Sequence, residues 1–364
     1  MSAPSFASQR IFLVTRYLAV IGWMICLSSV SPSATGQDPA LLLENSLIKV
    51  IEQAEPSVVS IAKVRPGPEG GRGFSLGAFA QPRPQNQRPD DPEDPEFQPN
   101  NFGTGIIVAG IRPADRLILT NYHVVQGGPV YSTNPEEERR GPSLYVRFAD
   151  RRMCQASIIA ADPRSDLAIL HLGLSEVKID PAELKPLDWI TAPPIRKGQL
   201  VVMLGNPYGL AHDGSSSAGW GIVSNVTRRP LPWAEDWESR ALMYRLGNLI
   251  QIDGRLNLGT SGSPLISLKG ELIGLTTSLA AIEGYEKSAG FAIPFDEFTR
   301  RVIRTLIAGH EVEYGMLGIS PHTVLPSNFR ALNTTFKQAS AVQVSNVAPY
   351  SPAGRAGILA DDVI

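Results

Sequence analysis

The sequence contains little cysteine and carries little net charge. Only two of its 364 residues are cysteine, and one of them, Cys26, lies in the N-terminal segment considered next. Removal of that segment would leave Cys154 alone, so the mature chain could not form an internal disulfide. The 33 basic and 35 acidic residues give a net charge of -2. This balance argues against nucleic-acid binding and against electrostatic docking on anionic lipid.

The first 36 residues have the organisation of an export signal. Arg10 and Arg16 form its basic part, and an apolar run at residues 17–30 follows that is short for a membrane span. The sequence A-T-G at residues 34–36 offers small side chains to a signal peptidase. We predict a periplasmic or secreted protein. An uncleaved N-terminal membrane anchor is the alternative.

Short apolar segments separated by turn residues dominate the rest of the chain. Its 30 prolines and 33 glycines predict many turns, including a tight turn at Lys269 and Gly270. Many short strands favour an all-β barrel or sandwich. We predict strands at residues 58–64, 105–108, 117–125, 144–148, 167–172, 200–204, 249–252, 265–266, 272–277 and 290–293.

Two amphipathic helices are predicted beside these strands. The first covers residues 39–54, with an apolar face formed by Leu43, Leu47, Val50 and Ile51. The second covers residues 296–309 and ends at Gly309, with a face formed by Phe298, Val302, Ile303, Leu306 and Ile307. Residues 65–101 are rich in Pro, Gly and charge, which predicts a flexible loop.

A glycine-rich turn surrounds Ser261, in the sequence G-T-S-G-S-P at residues 259–264. A serine hydroxyl becomes a nucleophile only when a base removes its proton and donors stabilise the resulting oxyanion. The glycines allow the backbone N–H groups of Gly259 and Ser261 to point at one place. A plain β-turn is the simpler interpretation of the same residues.

Histidine is the base that suits neutral pH, and the chain has five. His123 follows an apolar strand, where a rigid scaffold can hold its ring, whereas the other four are assigned structural positions. Asp166 stands at the start of the apolar run 167–172, where a carboxylate can be buried against imidazole. Asp162 is the rival in that segment, but it precedes a proline in a predicted turn.

The order His, Asp, Ser resembles that of chymotrypsin-type proteases, and the surrounding motifs resemble the HtrA/Deg family of protein-quality-control proteases. The motifs include L-T-N-Y-H-V-V at 119–125, V-M-L-G-N-P-Y-G-L at 202–210 and G-F-A-I-P at 290–294. The similar stretches cover most of residues 45–310.

This resemblance implies a chymotrypsin-like pair of six-stranded β-barrels over residues 102–311. The first barrel would extend to about residue 185 and the second from about 195 to 295. His123 and Asp166 would lie on the first barrel and Ser261 on the second. It also implies the N-terminal part of an α+β PDZ domain over residues 314–364. The carboxylate-binding loop of that domain would be formed by Tyr314, Gly315, Met316, Leu317 and Gly318.

The resemblance further implies a serine endopeptidase that cleaves unfolded polypeptides, works as a homo-oligomer such as a trimer, and uses neither metal nor cofactor. By family position Leu256 and Leu279 would line the pocket for the residue before the cleaved bond. The segment Thr276, Thr277 and Ser278 would pair with substrate backbone. A peptide-binding sensor or chaperone without catalysis is the alternative function.

Three residues depart from the family pattern. Thr260 replaces an asparagine, Ser263 replaces a glycine and Arg255 replaces a small residue. Ser263 would strain the turn if its position required a positive φ.

Overall fold

The structure is a computed structural model that describes residues 38–64, 99, 101–112, 114–127, 143–191, 194–206, 214–228, 248–277, 290–324 and 341–364. The predicted signal at residues 1–36 and nearly all of the predicted loop at residues 65–101 lie outside the described residues. None of the helices within those residues is long and apolar enough to cross a membrane.

Six antiparallel strands close a first barrel in the order β1-β2-β3-β6-β5-β4. They are β1 Val58–Val64, β2 Asn101–Ala109, β3 Arg116–Asn121, β4 Ser143–Arg147, β5 Met153–Asp162 and β6 Leu167–Leu172. Because β1 pairs with both β2 and β4, the barrel cannot close without it. The prediction that the two barrels begin at residue 102 is therefore wrong, because the strand at residues 58–64 belongs to the first barrel.

Six further strands close a second barrel in the order β10-β11-β12-β9-β8-β7. They are β7 Leu200–Gly205, β8 Ser217–Arg228, β9 Leu249–Ile252, β10 Pro264–Ser267, β11 Leu272–Thr277 and β12 Gly290–Pro294. In the turn between β10 and β11, Gly270 has φ +82° and donates its N–H to the Ser267 carbonyl at 2.9 Å. The predicted all-β, double six-stranded barrel is confirmed.

Both faces of several strands are buried, which explains their nearly continuous apolar sequences. On β2, Ile107 lies in the core inside the first barrel, whereas Ile106 and Val108 lie in a core shared by the two barrels. Strand residues alternate between faces. One face therefore fills a barrel and the other joins the two barrels together.

Two strands of the barrels were not predicted, and one was predicted too long. β8 has only Gly221 and Val223 buried among its twelve residues, so it lacks the apolar signal, and β5 carries polar residues among its apolar ones. The strand predicted at residues 117–125 is β3 only as far as Asn121. Tyr122–Val125 then forms a helical turn, α2.

The two predicted helices are present. α1, Pro39–Ala54, begins at Asp38, whose Oδ1 accepts a hydrogen bond from the Ala40 N–H at 3.0 Å. It packs through its predicted face, with Val50 buried. α3, Glu297–Ile307, is capped by Asp296, and Gly309 follows it with φ +74°.

The predicted inward face of α3 needs one correction. Phe298 is 46% exposed, and Thr299 is buried on the inner face instead. A hundred-degree step per residue places the two on different sides of the helix. The apolar side chain of Phe298 therefore remains outside the shared core.

Beyond α3, the described residues form a smaller unit. β13, Ile319–Val324, pairs antiparallel with β14, Ala341–Val347. The short helix α4, Pro352–Arg355, follows, capped by the Ser351 hydroxyl, which accepts the Gly354 N–H at 3.1 Å.

Candidate active site

His123 is held where the first barrel opens towards the second. It lies in α2, directly after β3, and its side chain is 19% exposed. The Tyr122 N–H and the Asn121 side-chain amide both donate to the Asp166 carbonyl at 3.0 Å. These bonds fasten the end of β3 to the turn that carries the aspartate.

Asp166 lies in the turn between β5 and β6, in the left-handed conformation with φ +55°. Its buried carboxylate accepts the His123 backbone N–H at 3.0 Å and lies 2.8 Å from His123 Nδ1. A carboxylate beside Nδ1 favours the tautomer in which Nδ1 carries the imidazole proton and donates it. Nε2 is then the nitrogen with a lone pair, as a general base requires.

Asp162, the alternative carboxylate, accepts hydrogen bonds from the backbone of the turn that carries Asp166. Its two oxygens accept the backbone N–H groups of Arg164 at 3.3 Å and Ser165 at 3.0 Å. The geometry therefore favours Asp166 as the partner of His123, while Asp162 shapes the turn that presents it.

Ser261 lies in a tight turn that leads into β10. The turn closes through the Thr260 N–H, which donates to the Asn257 carbonyl at 3.2 Å, and through the Ser263 N–H, which donates to the Thr260 carbonyl at 3.1 Å. Gly259 and Gly262 have φ of +93° and +85°. A side chain is strained in that region, which explains the two glycines.

The oxyanion donors predicted from sequence belong to this turn. The N–H groups of Thr260, Gly262 and Ser263 donate to carbonyls of the turn and of β11. The role of the Gly259 and Ser261 N–H groups as oxyanion donors stays a prediction.

Thr104 joins the serine turn to the first barrel and was not predicted. Its N–H donates to the Ser261 carbonyl at 2.8 Å, and its hydroxyl donates to the Gly259 carbonyl at 2.8 Å. The Thr120 hydroxyl in turn donates to the Thr104 carbonyl at 2.7 Å. The sequence feature that could have indicated its role is a polar residue between two glycines, directly before the apolar run of β2.

Thr277 also bridges the barrels. Its hydroxyl donates to Asp166 Oδ2 at 3.3 Å, although the sequence prediction assigned it to substrate backbone. Neighbouring Thr276 donates its N–H to the Ser263 carbonyl at 2.8 Å and accepts the Gly262 N–H at 2.9 Å. Thr276 thus has structural partners in the serine turn, and its pairing with substrate backbone stays a prediction.

The predicted substrate pocket is described only in part. Leu256 is half-buried and packs against the core inside the second barrel, whereas Ser278 and Leu279 lie outside the described residues. A Cβ added to Gly290 would lie 2.9 Å from Leu256 Cγ, so the glycine gives this leucine its space. Arg255 is exposed.

Ser263 does not strain the turn, because it does not have a positive φ. Its buried hydroxyl has no hydrogen-bond partner within the described residues. A Cβ on Gly205 would collide with that hydroxyl. The absence of a side chain at Gly205 therefore provides the room for serine at position 263.

The predicted carboxylate loop divides into two parts. Four of its members line an open groove of about 730 Å³ with residues of β13 and β14, namely Gly315, Met316, Leu317 and Gly318. Tyr314 is not in that lining; its phenol donates a hydrogen bond to Asp162. Its side chain thus contacts the peptidase domain, and its assignment to the carboxylate loop stays a prediction.

The site contains no group of metal ligands within the described residues, where no three His, Cys, Asp or Glu side chains are arranged to hold an ion. His123 has Asp166 as its acidic neighbour. The chemistry that this arrangement offers is proton transfer from a hydroxyl to an oriented imidazole.

Comparison with known proteins agrees with this geometry. The family profile described as "Trypsin-like peptidase domain" matches residues 103–275. The periplasmic pH-dependent serine endoprotease DegQ of Escherichia coli K12 is 30% identical, over 88% of this chain and 60% of that protein. The periplasmic serine endoprotease DegP of the same organism is 29% identical, over 93% of this chain and 68% of that protein.

Among solved structures, the HtrA-type protease AlgW with tripeptide superposes with a TM-score of 0.57. It is 23% identical over 87% of this chain and 81% of that chain. This likeness supports the fold. The chain spans 60% of the length of DegQ.

Proposed function

We propose that the chain belongs to the HtrA/Deg family of trypsin-like proteases and is a serine endopeptidase, with Ser261 as nucleophile, His123 as general base and Asp166 as the group that orients the histidine. One observation carries this proposal. The buried Asp166 carboxylate lies 2.8 Å from His123 Nδ1 and also accepts the Thr277 hydroxyl from the second barrel. That contact favours the tautomer of His123 that a general base needs, and the Thr277 bond ties this arrangement to the barrel that carries Ser261.

The reaction is acyl transfer to water. The Ser261 hydroxyl attacks a peptide carbonyl while His123 Nε2 takes its proton, and the N–H groups of Gly259 and Ser261 hold the oxyanion. His123 then protonates the leaving amine, and water repeats the sequence to release the acid. Asp166 stays ionised and stabilises the imidazolium that forms in each half-reaction.

The substrates we propose are unfolded or damaged polypeptides in the cell envelope, consistent with the periplasmic relatives. Thr276, Thr277 and Ser278 would present backbone to the substrate as an added strand, with Leu256 and Leu279 at the pocket. A homo-oligomer, such as a trimer, and a PDZ domain that begins within residues 314–364 complete the proposal. The exposed side chains of Met316 and Leu317 are compatible with peptide capture there.

A fluorophosphonate probe tests the nucleophile, because it phosphonylates only an activated serine. We expect the wild-type protein to be labelled and Ser261→Ala not to be. Ser263→Ala is the matched control: it removes a buried hydroxyl two residues away in the same turn and should still be labelled. A folded wild-type protein that resists the probe and leaves casein intact would instead favour the peptide-binding alternative.

A further inference from the structure

The segment that leaves α3 returns across the turn that carries Asp166. Val312 packs against the shared core, and two residues later the Tyr314 phenol donates to Asp162. Asp162 is the last residue of β5, and Asp166 is the last residue of the turn that follows it. The connection between the peptidase and the C-terminal unit is therefore in direct contact with the segment that presents a residue of the proposed triad.

Three groups fix the Tyr314 ring. The Arg164 guanidinium, from the turn itself, lies 4.7 Å from the ring centroid, and the Phe298 ring of α3 lies 6.1 Å away. Asp162 accepts the phenolic hydrogen bond. Burial, helped by that bond to Asp162, raises the pKa of the Tyr314 phenol well above its ordinary value, so the phenol remains a donor at neutral pH.

The turn needs such support. Asp166 has φ +55°, a conformation that side-chain-bearing residues keep only where their surroundings hold them. Asp162 supplies part of this support by accepting the N–H groups of Arg164 and Ser165. Tyr314 donates to Oδ2 of the same carboxylate, the oxygen that also accepts the Ser165 N–H.

We propose that Tyr314 is a positioning residue for peptide-bond hydrolysis. It fixes the Asp162 carboxylate, and through the turn it sets the position of Asp166 against His123. The inference rests on the proposed peptidase function. In this proposal, the segment that joins the peptidase to the C-terminal unit helps to set the distance between Asp166 and His123.

Tyr314→Phe is the first test, because it keeps the ring and removes only the hydroxyl. With active sites counted by exhaustive fluorophosphonate labelling, we expect kcat on a chromogenic peptide to fall about fivefold and KM to stay within about twofold. Tyr350→Phe is the matched control, since Tyr350 is 93% exposed, and should match wild type. An unchanged kcat, or an effect confined to KM, would overturn the proposal.

Asp162→Ala supplies a second, independent test through a double-mutant cycle, because alanine offers no acceptor to the Tyr314 phenol. If Tyr314 acts through Asp162, removing its hydroxyl in the Asp162→Ala background should lower kcat by less than about twofold. A full fivefold effect in that background would overturn the proposed route.

The NMR resonance of the proton on His123 Nδ1 reports on the bond between His123 and Asp166, and it does not depend on the overall stability of the protein. In wild type its bond to a carboxylate should produce a far-downfield NMR resonance, which we expect to shift upfield or vanish in Tyr314→Phe. An unaltered resonance would contradict the proposal. An inactive, unlabelled wild type would instead refute the peptidase function itself, so the two failures are distinguishable.

Discussion

The Thr277 hydroxyl donates to the Asp166 carboxylate across the junction of the two barrels, at 3.3 Å. Asp166 belongs to the first barrel and Thr277 to the end of β11 in the second. Both residues are buried, with exposed fractions of 2% and 1%. The carboxylate that orients His123 is therefore held correctly only when the barrels are docked.

Thr277→Val should weaken catalysis without unfolding the protein. Valine has nearly the shape of threonine but donates no hydrogen bond, and Asp166 keeps its two bonds to His123. We expect kcat to fall about three- to tenfold, as for the loss of one hydrogen bond. Thr277→Ser keeps the hydroxyl and should stay within about twofold of wild type. The measurement is kcat on a chromogenic peptide for both variants. A kcat of Thr277→Val equal to that of Thr277→Ser would refute the role assigned to this hydroxyl.

Asp166→Asn should abolish most activity while leaving the fold intact. Asparagine tolerates the left-handed conformation that residue 166 adopts, but its amide can donate to Nδ1 and so favour the wrong tautomer of His123. We expect kcat to fall by about 10³–10⁴. Circular dichroism and thermal unfolding should match wild type. Substantial residual turnover would mean that another group orients the base.

Gly262→Ala and Gly198→Ala form a matched pair that separates backbone strain from collision. Both glycines have nearly the same φ, +85° and +84°. A Cβ at residue 262 would collide with the Thr104 carbonyl and lie 2.6 Å from Thr120 Oγ1, whereas a Cβ at residue 198 meets nothing within 4 Å.

We expect Gly198→Ala to lower the free energy of unfolding by about 1–2 kcal/mol. Gly262→Ala should cost about 3–5 kcal/mol, because overpacking adds to the same strain, and it should block fluorophosphonate labelling. Denaturant unfolding measures both. Similar losses in the two variants would show that the serine turn can move away from the first barrel.

Cys154 should be inert towards thiol reagents in the native protein. Burial raises the pKa of its thiol to about 12, so at pH 8 only on the order of 10⁻⁴ of it is thiolate. In a protein carrying Cys26→Ser, we expect an aromatic disulfide reagent to react roughly 10³-fold more slowly before denaturation than after it. Because this pKa lies above pH 8, the thiolate fraction of native Cys154 grows as the pH rises, and its reaction rate should increase with it. Fast native reaction at pH 8 would show that the first barrel opens readily.

Local pattern was sufficient for much of the fold and for the identity of the proposed triad. Apolar runs such as residues 272–277 predicted strands because both of their faces are buried, and Gly309 marked the end of α3 because a left-handed position favours glycine. β8 escaped prediction because most of its side chains are exposed or half-buried, and β3 was overextended because α2 continues its apolar sequence.

The amino-acid sequence by itself determined that the chain has many short strands and which residues, His123, Asp166 and Ser261, are candidates for the site, because apolar periodicity and turn chemistry are local properties. The two-barrel architecture was implied by the family resemblance of its motifs. Only the tertiary structure decided that β1 closes the first barrel, that Thr104 and Thr277 join the barrels at the site, and that Tyr314 contacts Asp162. Each of these contacts pairs residues separated by roughly forty positions or more, and a hydrogen bond over such a distance leaves no periodic trace in either segment. Their partners are set by how the barrels dock.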